Sequence, residues 1–153
     1  MPVRYSIDPT LNLMYFLVYG RVSAQDLAEI ERRLATDPLR RPEMLSIADM
    51  LYVQELSFEV TDIRRWVEHL GQLTKSGSES DEAGLMIAIL WESSFAETFS
   101  QMLMLMALDF TIGVKSFTLL EEALTWIKLT EAQERILTIR SQLLQEAAPN
   151  HKR

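Results

Sequence analysis

The sequence predicts an α/β fold, a mixed and largely parallel sheet of four to five strands flanked by helices, with an extra helix at the C-terminal end. Three observations lead there. Short β-rich runs alternate along the chain with amphipathic helical stretches, and that alternation implies crossover connections and parallel strands covered by helices. One run, "GLMIAILW" at 84–91, is almost wholly apolar, the mark of a strand covered on both faces. Three helical stretches open on a Ser or Thr with an acid three residues later: Ser23 with Asp26, Ser94 with Glu97, Thr118 with Glu121.

Taken in order, "RYSID" and the run Leu13 to Tyr19 read as a hairpin whose turn carries Asp8, Pro9 and Asn12, with Gly20 closing the second strand. "SAQDLAEIERRLATDP" is a helix with Leu27, Ile30 and Leu34 on one face, and Pro38 prevents its continuation. "EMLSIADM" follows as a strand. "SFEVTDIRRWVEHLGQL" is the second helix, burying Ile63, Trp66, Val67 and Leu70, and "KSGSESDE" is a surface loop. After the apolar strand a helix starts near Ser94, with Phe95, Phe99, Met102, Leu103 and Met106 as its sheet-facing stripe. "GVKSF" is the last strand and "TLLEEALTWIK" the next helix. "TEAQERILTIRSQLLQEAA" is a final amphipathic helix that can run on from its predecessor. The expected division is an α/β unit over 1–129, the terminal helix over 130–148, and a disordered tail over 149–153.

Composition limits the chemistry. At 153 residues the chain has length enough for one sizeable core. Its net charge of −7 argues against a nucleic-acid partner, because phosphate binding needs clustered Lys and Arg, and equally against an anionic bilayer. There is no cysteine, so disulfides and thiolate-bound metals are excluded. No apolar run reaches the roughly 18 residues of a membrane span, and "MPVRYSIDP" lacks a signal-peptide pattern, so the expected compartment is the cytosol. Neither a G-x-G-x-x-G nor a Walker-type loop occurs, and His69 and His151 make no i, i+4 metal pair. No cofactor and no metal are expected.

The segment "ETFSQMLMLMALDF" carries seven consecutive apolar residues, three of them methionine. With one stripe given to the sheet, Met104, Leu105 and Leu108 remain on other faces. Surplus apolar surface is either covered by another element or marks an interaction site, and methionine suits adaptable contacts. Ala132, Ile136, Ile139 and Leu143 recur with spacing 4, 3, 4, a coiled-coil-like seam. Packed on the chain's own methionine helix, that seam is core. Packed on a second copy, it makes a homodimer, and a terminal helix with such a seam easily reaches a neighbour. The expected interaction surface is therefore Met102, Met104, Leu105, Leu108, Ile136, Ile139 and Leu143.

The hairpin ending in "VYGRVSAQDL", the "DP...RPEMLSIADM" approach to the third strand, and "VKSFTLLEEALTWI" together resemble the STAS-like, or SpoIIAA-like, proteins of bacteria. The resemblance spans about residues 3–129. It implies a four- or five-stranded mixed sheet used mainly for protein–protein signalling. In the anti-sigma-factor antagonists of that family a Ser or Thr at the start of the helix after the third strand is phosphorylated. That junction here reads "DMLYVQELSFEVTD", which makes Ser57 and Thr61 the phosphoacceptor candidates, although the family's Asp-Ser-Ser/Thr-Gly run is not present. The plainer reading of both is an N-cap. A branch of similar folds, the CRAL-TRIO type, binds lipids beneath a mobile helix, which would give the methionine segment a task.

Asp49 and Glu92 fall near the carboxyl ends of expected parallel strands, where ligands of open α/β sheets bind, and could form an acid–base pair. Loop-entry carboxylates that cap turns or face water are the commoner case. The expected function is a non-enzymatic regulatory module that binds a protein partner or a second copy. The alternative is a carrier of an apolar small ligand, and a small-molecule enzyme ranks last.

Overall fold

The computed structural model describes residues 2–41, 43–75, 85–92, 101, 104–105 and 112–147. Five strands are formed: β1 (Val3–Asp8), β2 (Leu13–Ser23), β3 (Leu45–Ser57), β4 (Leu85–Leu90) and β5 (Ile112–Phe117). They lie side by side in chain order. β1 and β2 are antiparallel, and every later neighbour is parallel. The described helices are α1 (Ala24–Ala35), α2 (Val60–Lys75), α3 (Leu120–Trp126) and α4 (Gln133–Ala147). The sheet is mixed and largely parallel, as the sequence predicts, and its strand order now follows from the register.

The hairpin turn is built by the polar residues expected of it. The Asp8 carboxylate accepts the Leu11 N–H at 3.1 Å. Asn12 takes a left-handed conformation at φ 53, and its side chain donates to the Glu43 carbonyl at 3.2 Å. Asn tolerates that region better than most residues because its short polar side chain bonds locally.

Gly20 does not close β2. It sits within the strand at φ 66, beside register shifts in the β2–β3 pairing, and the strand continues to Ser23. Each shift places one extra residue on β3, the strand that faces Gly20, and the ladder continues past both. A Cβ at this position would meet nothing within 4 Å, so Gly20→Ala carries only the backbone penalty. That substitution is expected to lower stability by about 1–2 kcal/mol, read from the midpoint of urea unfolding.

β3 likewise runs seven residues past Met50, paired with the extended end of β2 through Ser23↔Ser57. Two helix starts contrast. Ser23 forms the expected capping box: its hydroxyl oxygen accepts the Asp26 N–H at 3.3 Å, and its own N–H donates to the Asp26 carboxylate at 2.9 Å. Thr118 with Glu121 forms none, because α3 begins at Leu120 and its N-cap is Leu119, without a side-chain cap. Thr118 stands one residue too early to reach the free N–H groups of the first turn.

The two faces of the sheet carry separate cores. Met14, Val18, Val22, Met50, Ile87 and Ile89 pack with Ile30 and Leu34 of α1 and Ile63 of α2. On the opposite face Leu13, Tyr15, Leu17, Ile47, Ala88 and Leu90 pack with Leu120, Ala123 and Leu124 of α3 and with Ile136, Ile139 and Leu143 of α4. Successive parallel strands that step one way across a sheet, joined by right-handed crossovers, place their crossover helices on one face. α1 and α2 share a face accordingly. Among the described elements the other face is covered by those after β5, of which α3 spans only seven residues. α4 completes the cover.

This corrects the docking seam. Ile136, Ile139 and Leu143 are 0, 8 and 4% exposed, enclosed by the chain's own sheet. The 4-3-4 spacing marked an apolar stripe correctly but not its partner. The helix set outside the 1–129 unit shares that unit's core, and α3 and α4 are not continuous. α3 ends with Leu129 N–H on the Leu124 carbonyl at 2.8 Å, Lys128 N–H on Thr125 at 3.3 Å, and Lys128 itself left-handed at φ 63. A short 3-10 turn, Thr130–Ala132, then leads into α4. The expected methionine-helix stripe and the tail at 149–153 lie outside the described residues.

Candidate functional site

Polar chemistry inside this fold concentrates where α4 crosses β2 and β3. Side chains alternate along a strand, so Leu13, Tyr15 and Leu17 of β2 point to the α4 face together with Ile47 and Asp49 of β3. Tyr15↔Ile47 and Leu17↔Asp49 are paired in register, and the Tyr15 phenol reaches diagonally to Asp49. Tyr15 and Asp49 are both 0% exposed. The Tyr15 O–H donates to Asp49 Oδ2, and the same oxygen receives Arg140 Nε at 2.8 Å. Arg140 Nε also lies 2.9 Å from the Tyr15 hydroxyl oxygen, closing a triangle. Asp49 Oδ1 accepts the Leu51 N–H at 3.3 Å.

Burial raises the Tyr15 phenol far above its ordinary range, and the neighbouring Asp49 charge raises it further, so it remains a neutral donor. For Arg140 burial works against the charged form, but Tyr15 and Asp49 outweigh it and hold the guanidinium protonated. The result is a neutralised buried ion pair with a phenol bridging it. Two further pairs flank it along α4: Arg135 Nε with the buried Asp8 at 2.6 Å, and Glu146 with Arg4 at 3.8 Å. The three contacts run along the helix from its first turn to its last, so they fix its position lengthwise on the sheet.

The expected acid–base pair of Asp49 and Glu92 is not formed. Asp49 lies inside a strand rather than at its end, with both oxygens engaged by the protein, while Glu92 is exposed. Asp49 is 0% exposed and holds α4. The missed partners were Tyr15 and Arg140. The available signal was an aspartate inside the apolar alternation of "LSIADML", since a buried carboxylate requires a counter-charge.

Ser57 is the last residue of β3 and is exposed, three positions before the first helical residue of α2. Thr61 is exposed in the first turn. The helix start is closed by another pair, the Glu59 N–H donating to the Asp62 carboxylate at 2.9 Å. Neither candidate hydroxyl is needed for that cap. His69 lies on α2, and nothing of its side chain is described; Met102 and Leu108 lie outside the described residues. Met104 and Leu105 are helical and stand 39 and 67% exposed. Tyr52 and Val60 are exposed as well, at 42 and 50%, one on β3 and the other at the start of α2.

Among the described residues no group of three or more His, Cys, Asp or Glu is placed to hold a metal ion. Nor is any helix among them long and apolar enough to cross a membrane. No protein-family model matches the chain, and no curated protein matches it. A solved structure from Shewanella loihica PV-4, an uncharacterised protein of the DUF3478 family with a SpoIIAA-like fold, superposes with a TM-score of 0.55. The alignment covers 81% of this chain and 92% of that one at 17% sequence identity. Sequential strands with one antiparallel edge, helices on both faces and this superposition agree: the chain folds as a SpoIIAA-like, that is STAS-like, α/β domain.

Proposed function

We propose that this chain is a non-enzymatic, regulatory protein-interaction module of the cytosol, and that it meets its partner through the apolar run at 102–108. The exposure of Leu105 carries this reading. A leucine 67% open to water, next to a methionine 39% open, sits within seven consecutive apolar residues. Large apolar side chains left open to water side by side are characteristic of contact sites in proteins. The interior supports the same reading, because the buried ionisable triangle spends its bonds on securing α4. With Ile136, Ile139 and Leu143 enclosed, Met104 and Leu105 are the described members of the expected surface that remain open.

A second copy is the first partner to test. Light scattering from dilute to concentrated protein is expected to show a reversible dimer for the wild type. Leu105→Glu should abolish it with the thermal midpoint unchanged, since the side chain is exposed. A wild type that stays monomeric at every concentration removes self-association through this run. A hydrophobic mass that co-purifies reproducibly in native mass spectrometry, and is lost in Leu105→Glu, would move the reading to an apolar-ligand carrier.

A further inference from the structure

We propose that α4 is exchanged between two copies of this chain. Each α4 docks on the sheet of the other copy, while residues 127–132 straighten and join α3 to α4 as one helix. The first ground is a conflict between local sequence and local structure. No Gly or Pro occurs from Val114 to Ala148, and "IKLTEA" contains nothing that stops a helix. Yet the chain breaks there, with Lys128 at φ 63 and Leu129 at φ −121, ψ 29. The bonds Leu129 N–H to Leu124 and Lys128 N–H to Thr125 form the helix-ending motif whose left-handed position ordinarily holds glycine. A lysine there is strained, and a straightened connection releases it. Connections under such strain favour exchange of the element they tether.

The second ground is that α4 carries a complete recognition set. Ile136, Ile139 and Leu143 supply the apolar contact, and Arg135, Arg140 and Glu146 meet Asp8, Asp49 and Arg4 on the sheet. Those contacts are the same whichever copy provides the helix, so they cancel between closed monomer and exchanged dimer. The balance then rests on the connection and on protein concentration. None of this involves Met104 or Leu105, so in Leu105→Glu the reversible dimer of the folded protein is lost while the exchanged dimer, obtained by refolding at high concentration, persists.

The experiment uses two full-length chains, Asp8→Arg and Arg135→Asp. Each alone sets like charges against each other at the helix–sheet contact. In an exchanged heterodimer both contacts regain opposite charges. Unfolded together and refolded at high concentration, the mixture is expected to give a dimer whose thermal midpoint returns toward that of the wild type, while each variant alone melts lower. A mixture that behaves as the sum of its parts, without a new dimer, overturns the proposal. Lys128→Gly and Lys128→Ala test the connection without touching the docking contacts. Lys128→Gly should reduce the dimer fraction of the refolded chain several-fold, because glycine relieves the strain in the closed form, whereas Lys128→Ala should not. Equal dimer fractions in the two variants overturn it as well.

Discussion

Arg140→Met is expected to destabilise the protein by about 3 kcal/mol, toward the lower end of the range for breaking a buried ion pair. The loss arises from what stays behind. Asp49 is fully buried, and its nearest counter-charge is the Arg140 Nε at 2.8 Å. Without it the carboxylate must remain charged in a poorly solvated place or take up a proton, and both options cost free energy in the folded state only. Two features hold the figure to the low end. The Arg140 side chain is 16% exposed, so water can enter where the guanidinium stood. The pair also uses Nε alone, with Nη2 buried and unbonded among the described residues, and a one-pronged contact is weaker than a fork. Asp49→Leu combined with Arg140→Met should lose less than Arg140→Met alone, because no charge is stranded, although the Tyr15 hydroxyl then lacks its acceptor at about 1–3 kcal/mol. Urea unfolding of the two variants decides the matter. A loss below about 1 kcal/mol for Arg140→Met would mean that another group neutralises Asp49.

Local pattern carried much of the fold, and its failures share one cause. The hairpin turn and the capped start of α1 depend on neighbours within four residues, and the apolar run of β4 stands in its own composition, so the sequence displays all three directly. Where β3 ends does not. "LYVQELS" continues as strand because β2 runs on beside it past the register shifts around Gly20, a pairing between segments more than thirty residues apart. That continuation put Asp49 inside the sheet instead of at its rim, and it turned an imagined catalytic carboxylate into an anchor. Its partner Arg140 lies 91 residues away and announces itself only as a cation beside an apolar stripe. The stripe on α4 was equally ambiguous on its own. A spacing of 4, 3, 4 fits a coiled coil or a helix on a sheet, and only the need to cover the second sheet face decides between them.

Ending the chain after Leu129 is expected to abolish cooperative folding. The truncated protein should bind a dye for exposed apolar surface, and it should lose the sharp thermal transition of the full chain. Truncation removes Ile136, Ile139 and Leu143 from their contacts and opens Leu13, Tyr15, Leu17 and Ile47 to water, each 0% exposed in the complete protein. Burial of an aliphatic side chain is worth about 1.5–3 kcal/mol, so the three helix residues alone represent about 5–9 kcal/mol. A whole domain is stable by about 5–15 kcal/mol, so the loss is comparable with everything that holds the fold. Ile136→Ala is the graded form of the same test and should cost about 2–5 kcal/mol, because this side chain is fully enclosed. The opposite outcome is equally informative. A truncated chain that remained a monodisperse monomer with an unchanged melting midpoint would show that α4 lies on the sheet without supporting it. Its apolar seam would then be free for a second copy, and the sheet face beneath would have to be covered by something else.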